Sequence, residues 1–138
     1  MKVEVSNGEL LDKLTILELK LTNITNVQKL SNIQKEHDEL SPLADQLFDS
    51  YGEELKNLYK KLTEINSELW TIEDHIRECE RNKDFGSDFV SLARAVYFTN
   101  DKRSDVKKAI NLLTDSGFVE ELSLIQSDAA DDVASVDL

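Results

Sequence analysis

One proline and four glycines among 138 residues are too few to punctuate an all-β chain, so helix is the default architecture. A single cysteine, Cys79, excludes an intrachain disulfide and every Cys-x-x-Cys redox or zinc motif. Positive charge is scarce too. Sixteen Lys and Arg against 28 Asp and Glu leave a formal charge of -12, a field that repels phosphate backbones and anionic lipid, so neither nucleic acid nor membrane is expected as a partner. No apolar run approaches the roughly 20 residues of a transmembrane helix, and the opening MKVEVSNGEL lacks the apolar core of a signal peptide. A cytoplasmic chain is expected. There is no G-x-S-x-G and no Gly-rich phosphate loop. Di-iron bundles use inward Glu-x-x-His pairs, but His37 follows Gln34 and His75 follows Ile72 at that offset. No catalytic residue, metal ligand or cofactor is therefore assigned.

What the chain has is helical periodicity. Leu55, Leu58, Leu62, Ile65, Leu69, Ile72, Ile76 and Cys79 recur at alternating spacings of three and four, a heptad seam in a stretch without Gly or Pro. The spacing predicts one straight helix over 53–82, about 45 Å long at 1.5 Å per residue. Its apolar side needs cover from other helices. Cys79 lies in that seam and reads as a small buried hydrophobe rather than a nucleophile.

The other segments supply that cover. Met1 to Val5 alternates Val with Lys and Glu and reads as a short extended start, after which Ser6 or Asn7 caps a helix over 8–23 with Glu9 in its first turn. Leu10, Leu14, Leu17 and Leu21, widened by Leu11 and Ile16, give that helix a broad apolar face. A reversal over 22–26 leads to a second helix, expected to kink or restart near Ser41-Pro42 because proline removes a backbone donor. Its His37 falls on the apolar side and reads as a core or boundary histidine. Ser50-Tyr51-Gly52 closes the segment. The next reversal spans 82–87, with Ser87 as cap, and one continuous helix to about Thr114 is favoured over a break and restart near Asn100-Asp101, because neither Pro nor Gly interrupts it. Gly117 ends the helical part, Phe118 to Ile125 retain apolar residues able to dock, and 126–138 is acidic, aperiodic and expected to be mobile. The expected fold is all-α: a single domain over 1–125 containing a bundle of about four helices around the helix at 53–82, followed by the tail.

Two polar lines interrupt this apolar frame. Asn66, Trp70, Glu73 and Arg77 follow one flank of the central helix at spacings of four, three and four. In the last helix Arg94, Asn100 and Arg103 cluster within three turns, and Arg103 stands where the heptad calls for an apolar side chain. A buried guanidinium has to be paired, so Arg103 requires Glu73, Glu18 or Asp12 opposite it. Together Asn66, Trp70, Glu73, Arg77, Arg94, Asn100 and Arg103 form a candidate ligand-binding set. Packing and surface pairing account for the same residues without any ligand.

NGELLDKLTILELKL at 7–21, ELWTIEDHIRECE at 68–80 and FVSLARAVYFTNDKRSDVKKAIN at 89–111 resemble a family of small uncharacterised proteins from bacteria and phages. The resemblance implies no activity and transfers no residue role. Glu9-x-x-Asp12 and Glu36-x-x-Glu39 invert the order of the magnesium-binding pairs in all-helical nucleotide pyrophosphohydrolases, so no metal is assigned to them. The first functional expectation is a non-enzymatic interaction or assembly module. It self-associates through helices as a homodimer or higher homo-oligomer, with a second protein as a further partner. The alternative is a protein or enzyme that binds a small anionic metabolite in an Arg/Glu/Asn pocket inside the bundle.

Overall fold

The computed structural model describes residues 3–115, and all regular structure among them is helical. Three helices follow in order: α1 (Asn7–Asn23), α2 (Val27–Arg81) and α3 (Ser87–Leu113). Ser6 caps α1, its hydroxyl accepting from the Glu9 amide at 3.1 Å, which satisfies one of the unpaired donors of the first turn. Asn26 does the same for α2, accepting from the Lys29 amide at 3.0 Å.

The middle helix departs from expectation in an instructive way. It continues through Pro42 with helical backbone, where the sequence predicts a kink or restart, and is interrupted at Gly52, within the expected Ser50-Tyr51-Gly52 closure, by a non-helical φ of 61° and ψ of -141°. Pro42 and Asp38 are both exposed, so the carbonyl deprived of its proline donor faces water and the helix tolerates the loss. Gly52 adopts a backbone conformation that a side chain would strain. The interruption is sharp. Phe48 and Tyr59 meet edge to face with ring centroids 5.2 Å apart, although eleven residues would separate them by about 16 Å along one straight helix. The second and third expected helices are thus one helical run folded at Gly52, giving three elements rather than four.

The segment after Gly52 is uninterrupted to Arg81. Leu55, Leu62 and Leu69, seven apart, are fully buried, Ile72 nearly so, and Leu58, Ile65 and Ile76 partly. Each fully buried leucine contributes about 1.5–3 kcal/mol relative to exposure. The apolar interior has two parts. Leu11 and Leu14 of α1 join Ala44, Leu55 and Leu62 of α2 and Ile110 of α3 in the larger one. The second, Leu69, Ile72 and Val96 with Ile65, Ile76, Leu92 and Ala95 packed against them, is drawn among the described residues from α2 and α3.

α3 is continuous, as expected, and Thr99 is buried within it. Gly86 rather than Ser87 stands at its N-cap and makes no side-chain bond, Ser87 being the first helical residue. Among the described residues no helix is long and apolar enough to cross a membrane. The expectations for Gly117, for docking of 118–125 and for the tail at 126–138 lie outside the described residues.

Candidate functional site

Five of the seven candidate residues fall into two groups, separated along the α2–α3 pair, and Trp70 and Arg94 belong to neither. Asn66 and Arg103 belong to a buried polar clamp centred on Asp12. Arg103 donates from Nε to Asp12 Oδ1 at 2.9 Å and from Nη2 to Oδ2 at 2.6 Å, the bidentate fork that a planar guanidinium offers a carboxylate. Both side chains are shielded from water. Asn66 Nδ2 donates to Asp12 Oδ1 at 2.9 Å and to Thr15 Oγ1 at 2.6 Å, and the Thr15 hydroxyl donates to the Asp12 carbonyl at 2.7 Å. One residue from each of the three helices meets at the Asp12 carboxylate. The polar gap in the seam of α3 is therefore filled from within, and Asp12 is the carboxylate that Arg103 required.

Further contacts lock α1 to the end of α3. The Gly8 amide donates to Asn111 Oδ1 at 2.7 Å, Asn7 Nδ2 to Thr114 Oγ1 at 2.9 Å, and Lys107 pairs with Glu9 at 2.5 Å. Tyr51 donates its hydroxyl to the Thr114 carbonyl at 3.0 Å, tying the Gly52 elbow to the same end. The Tyr59 hydroxyl donates to Glu18. Burial, followed by that hydrogen bond and the charge of Glu18, pushes the Tyr59 phenol well above its ordinary range. Gly8, Tyr59, Lys107 and Asn111 carry no pattern that would single them out in the sequence. Thr15 is hidden there within an apolar stretch.

The second group lies farther along the pair. Glu73 and Arg77 on α2 and Asn100 on α3 line an open groove of about 460 Å³, together with Ile76, Ala93, Val96 and Tyr97. Arg77 pairs with Glu73 at 3.5 Å and with Asp74 at 3.6 Å, so its guanidinium is already shared by two carboxylates. Trp70 is half-buried and lines neither clamp nor groove. Arg94 is exposed, its guanidinium carbon 5.8 Å from the centroid of the Phe98 ring, a cation-π arrangement. Tyr97 and Phe98 remain 45 % and 53 % exposed and touch edge to face at 5.7 Å.

Burial first, then the charges of Asp84, Asp88 and Glu78, push the Cys79 thiol up and so disfavour the reactive thiolate. Among the described residues no group of three or more His, Cys, Asp or Glu is arranged to hold a metal ion. Of the inverted carboxylate pairs, Asp12 is held by Arg103 and Glu36 pairs with Lys13 at 3.3 Å.

No curated protein and no solved structure matches the chain. A family model does, over residues 1–124, and by that match the chain belongs to DUF6165, a family of unknown function.

Proposed function

We propose that the chain is a non-enzymatic assembly module of the cytoplasm whose distal α2–α3 pair associates with a second copy. One observation carries this reading: among the described residues, the core around Leu69, Ile72 and Val96 is built from α2 and α3, with no contribution from α1. Two helices cannot enclose a core by themselves. At the same end Phe85, Val90, Tyr97 and Phe98 are about half exposed. Packed against the same pair from another copy, they would complete a bundle of four helices, with the helix after Gly52 as its spine.

The outer stripe of α3 is suited to such a contact. In a two-fold interface the same patch must complement itself. Arg94 and Asp101 are both exposed and lie on either side of Tyr97 and Phe98. Antiparallel pairing centred on those two rings sets Arg94 of one copy against Asp101 of the other. Charge reversal tests this. Light scattering should show Arg94→Asp and Asp101→Arg each lowering the mean mass of the dimer, and the double reversal restoring it. Single reversals without effect would contradict this pairing.

A second reading, a small-ligand site between α2 and α3, is favoured by a different observation. Glu73, Arg77 and Asn100 line an open groove there, walled by Ile76, Ala93, Val96 and Tyr97.

A further inference from the structure

The 55 residues of α2 contain a single non-helical one, Gly52, and its backbone alone turns the arm 27–51 back on the arm 53–81 with no loop between them. Glycine reaches helical dihedrals as readily as left-handed ones, so the covalent chain permits a straight helix here, about 80 Å long. Packing does not pin the bend at this residue either, because a Cβ built on Gly52 would meet nothing within 4 Å. What holds it is contact between the two sides. Asp12 binds Arg103, Tyr51 binds the Thr114 carbonyl and Phe48 meets Tyr59, and each of these pairs joins a residue before Gly52 to one after it. α1 is tied to the first arm, Lys13 pairing with Glu36 at 3.3 Å.

We propose that two copies of the chain exchange α1 and the arm 27–51 by straightening at Gly52. Each copy's first arm then folds onto the other's arm 53–81 and α3. A second copy offers the same partners in the same order, so the contacts that cross the elbow are re-made between copies rather than lost. Exchange of identical elements through a short hinge is a low-cost route to a dimer. Opposing it is the freedom lost when two copies join, so the exchanged form rises with concentration. This dimer is distinct from association through the distal pair. Its copies separate only when the arms leave their new partners, and it therefore persists on dilution.

Refolding the full chain from urea at rising concentration, in a Phe98→Asp background that removes the distal contact, tests the exchange by sedimentation. Gly52→Ala should raise the dimer fraction about tenfold or more over the parent at equal concentration, because alanine favours the helix and disfavours the bend. That dimer should survive dilution. Asp12→Arg and Arg103→Asp show what is exchanged. Refolded together, each on the Gly52→Ala chain, they should give a heterodimer as the main product in native mass spectrometry. Exchange sets the two reversed charges opposite one another and leaves the second clamp intact, whereas either variant alone places like charges together. A Gly52→Ala chain that stays at 15.7 kDa at every concentration would overturn the proposal. A mixed pair that yields no heterodimer, or yields it only in statistical proportion to the homodimers, would overturn it as well.

Discussion

At the scale of single residues, the Asp12–Arg103 pair decides how α1, α2 and α3 meet. Removing one member of a buried, hydrogen-bonded pair strands the other, which typically costs about 3–5 kcal/mol. Arg103→Met should therefore lower the urea unfolding free energy by about that much, whereas Asp12→Leu combined with Arg103→Met should recover part of the loss. Additive effects in this double-mutant cycle would show that the two side chains do not interact. Tyr59 makes a prediction in pH. Its phenol titrates higher in the folded chain than the ordinary value of 10.0, so its contribution is fully present below pH 10 and is lost as pH rises toward the folded value. Thermal unfolding between pH 8 and 11 should show Tyr59→Phe falling less steeply at the alkaline end than the parent. Some of this residue chemistry is legible in the sequence. A guanidinium at a heptad position demands a carboxylate, and Asp12 is one of three that could supply it. The contact between Tyr59 and Glu18 is not legible, because periodicity says which face a residue occupies and not which residue on another helix comes opposite.

Helices meet closely where a residue is small, and Gly8 is such a place. A Cβ built there would sit 2.6 Å from the Lys107 carbonyl oxygen and 3.0 Å from Asn111 Oδ1. Backbone cannot swing aside, so α1 would have to lift from α3. Gly8→Ala should destabilise by about 1–3 kcal/mol, the usual cost of overpacking, despite alanine's better helix propensity. Calorimetry checks the sign, and a gain in Tm would contradict the close approach. Gly52 differs in cause. A Cβ there would meet nothing within 4 Å, yet its φ is 61°, so Gly52→Ala is strained by conformation alone, by about 1–3 kcal/mol. Helix boundaries are legible in the sequence wherever a cap or a loop signal speaks, as at Ser6 and Asn26. The break at Gly52 is legible as well, at the Ser50-Tyr51-Gly52 closure, whereas the passage of the helix through Pro42 is not, because proline interrupts helices and only solvent exposure reveals that the fold absorbs it here. Pro42 stands on the outside, where water replaces the lost bond, while Gly52 stands where Phe48 has to reach Tyr59.

Taken whole, the described molecule has one end where α1 and both arms of α2 pack with α3, and another where the arm after Gly52 meets α3. α1 completes the first through Leu11, Leu14 and the Asp12 clamp, while around Leu69 and Val96 no third helix contributes among the described residues. That asymmetry is what the apolar seam over 53–82 anticipates, since a rod of that length outruns a helix of 17 residues. The groove is only half legible: Glu73, Arg77 and Asn100 stand out as polar interruptions, but Ile76, Ala93, Val96 and Tyr97 belong to the ordinary apolar pattern until α3 is laid beside α2. Sedimentation equilibrium of the full chain over a micromolar dilution series tests the open end most directly. The account predicts a species of twice the 15.7 kDa chain mass that dissociates on dilution and is lost in Phe98→Asp. A 15.7 kDa species at every concentration would contradict it.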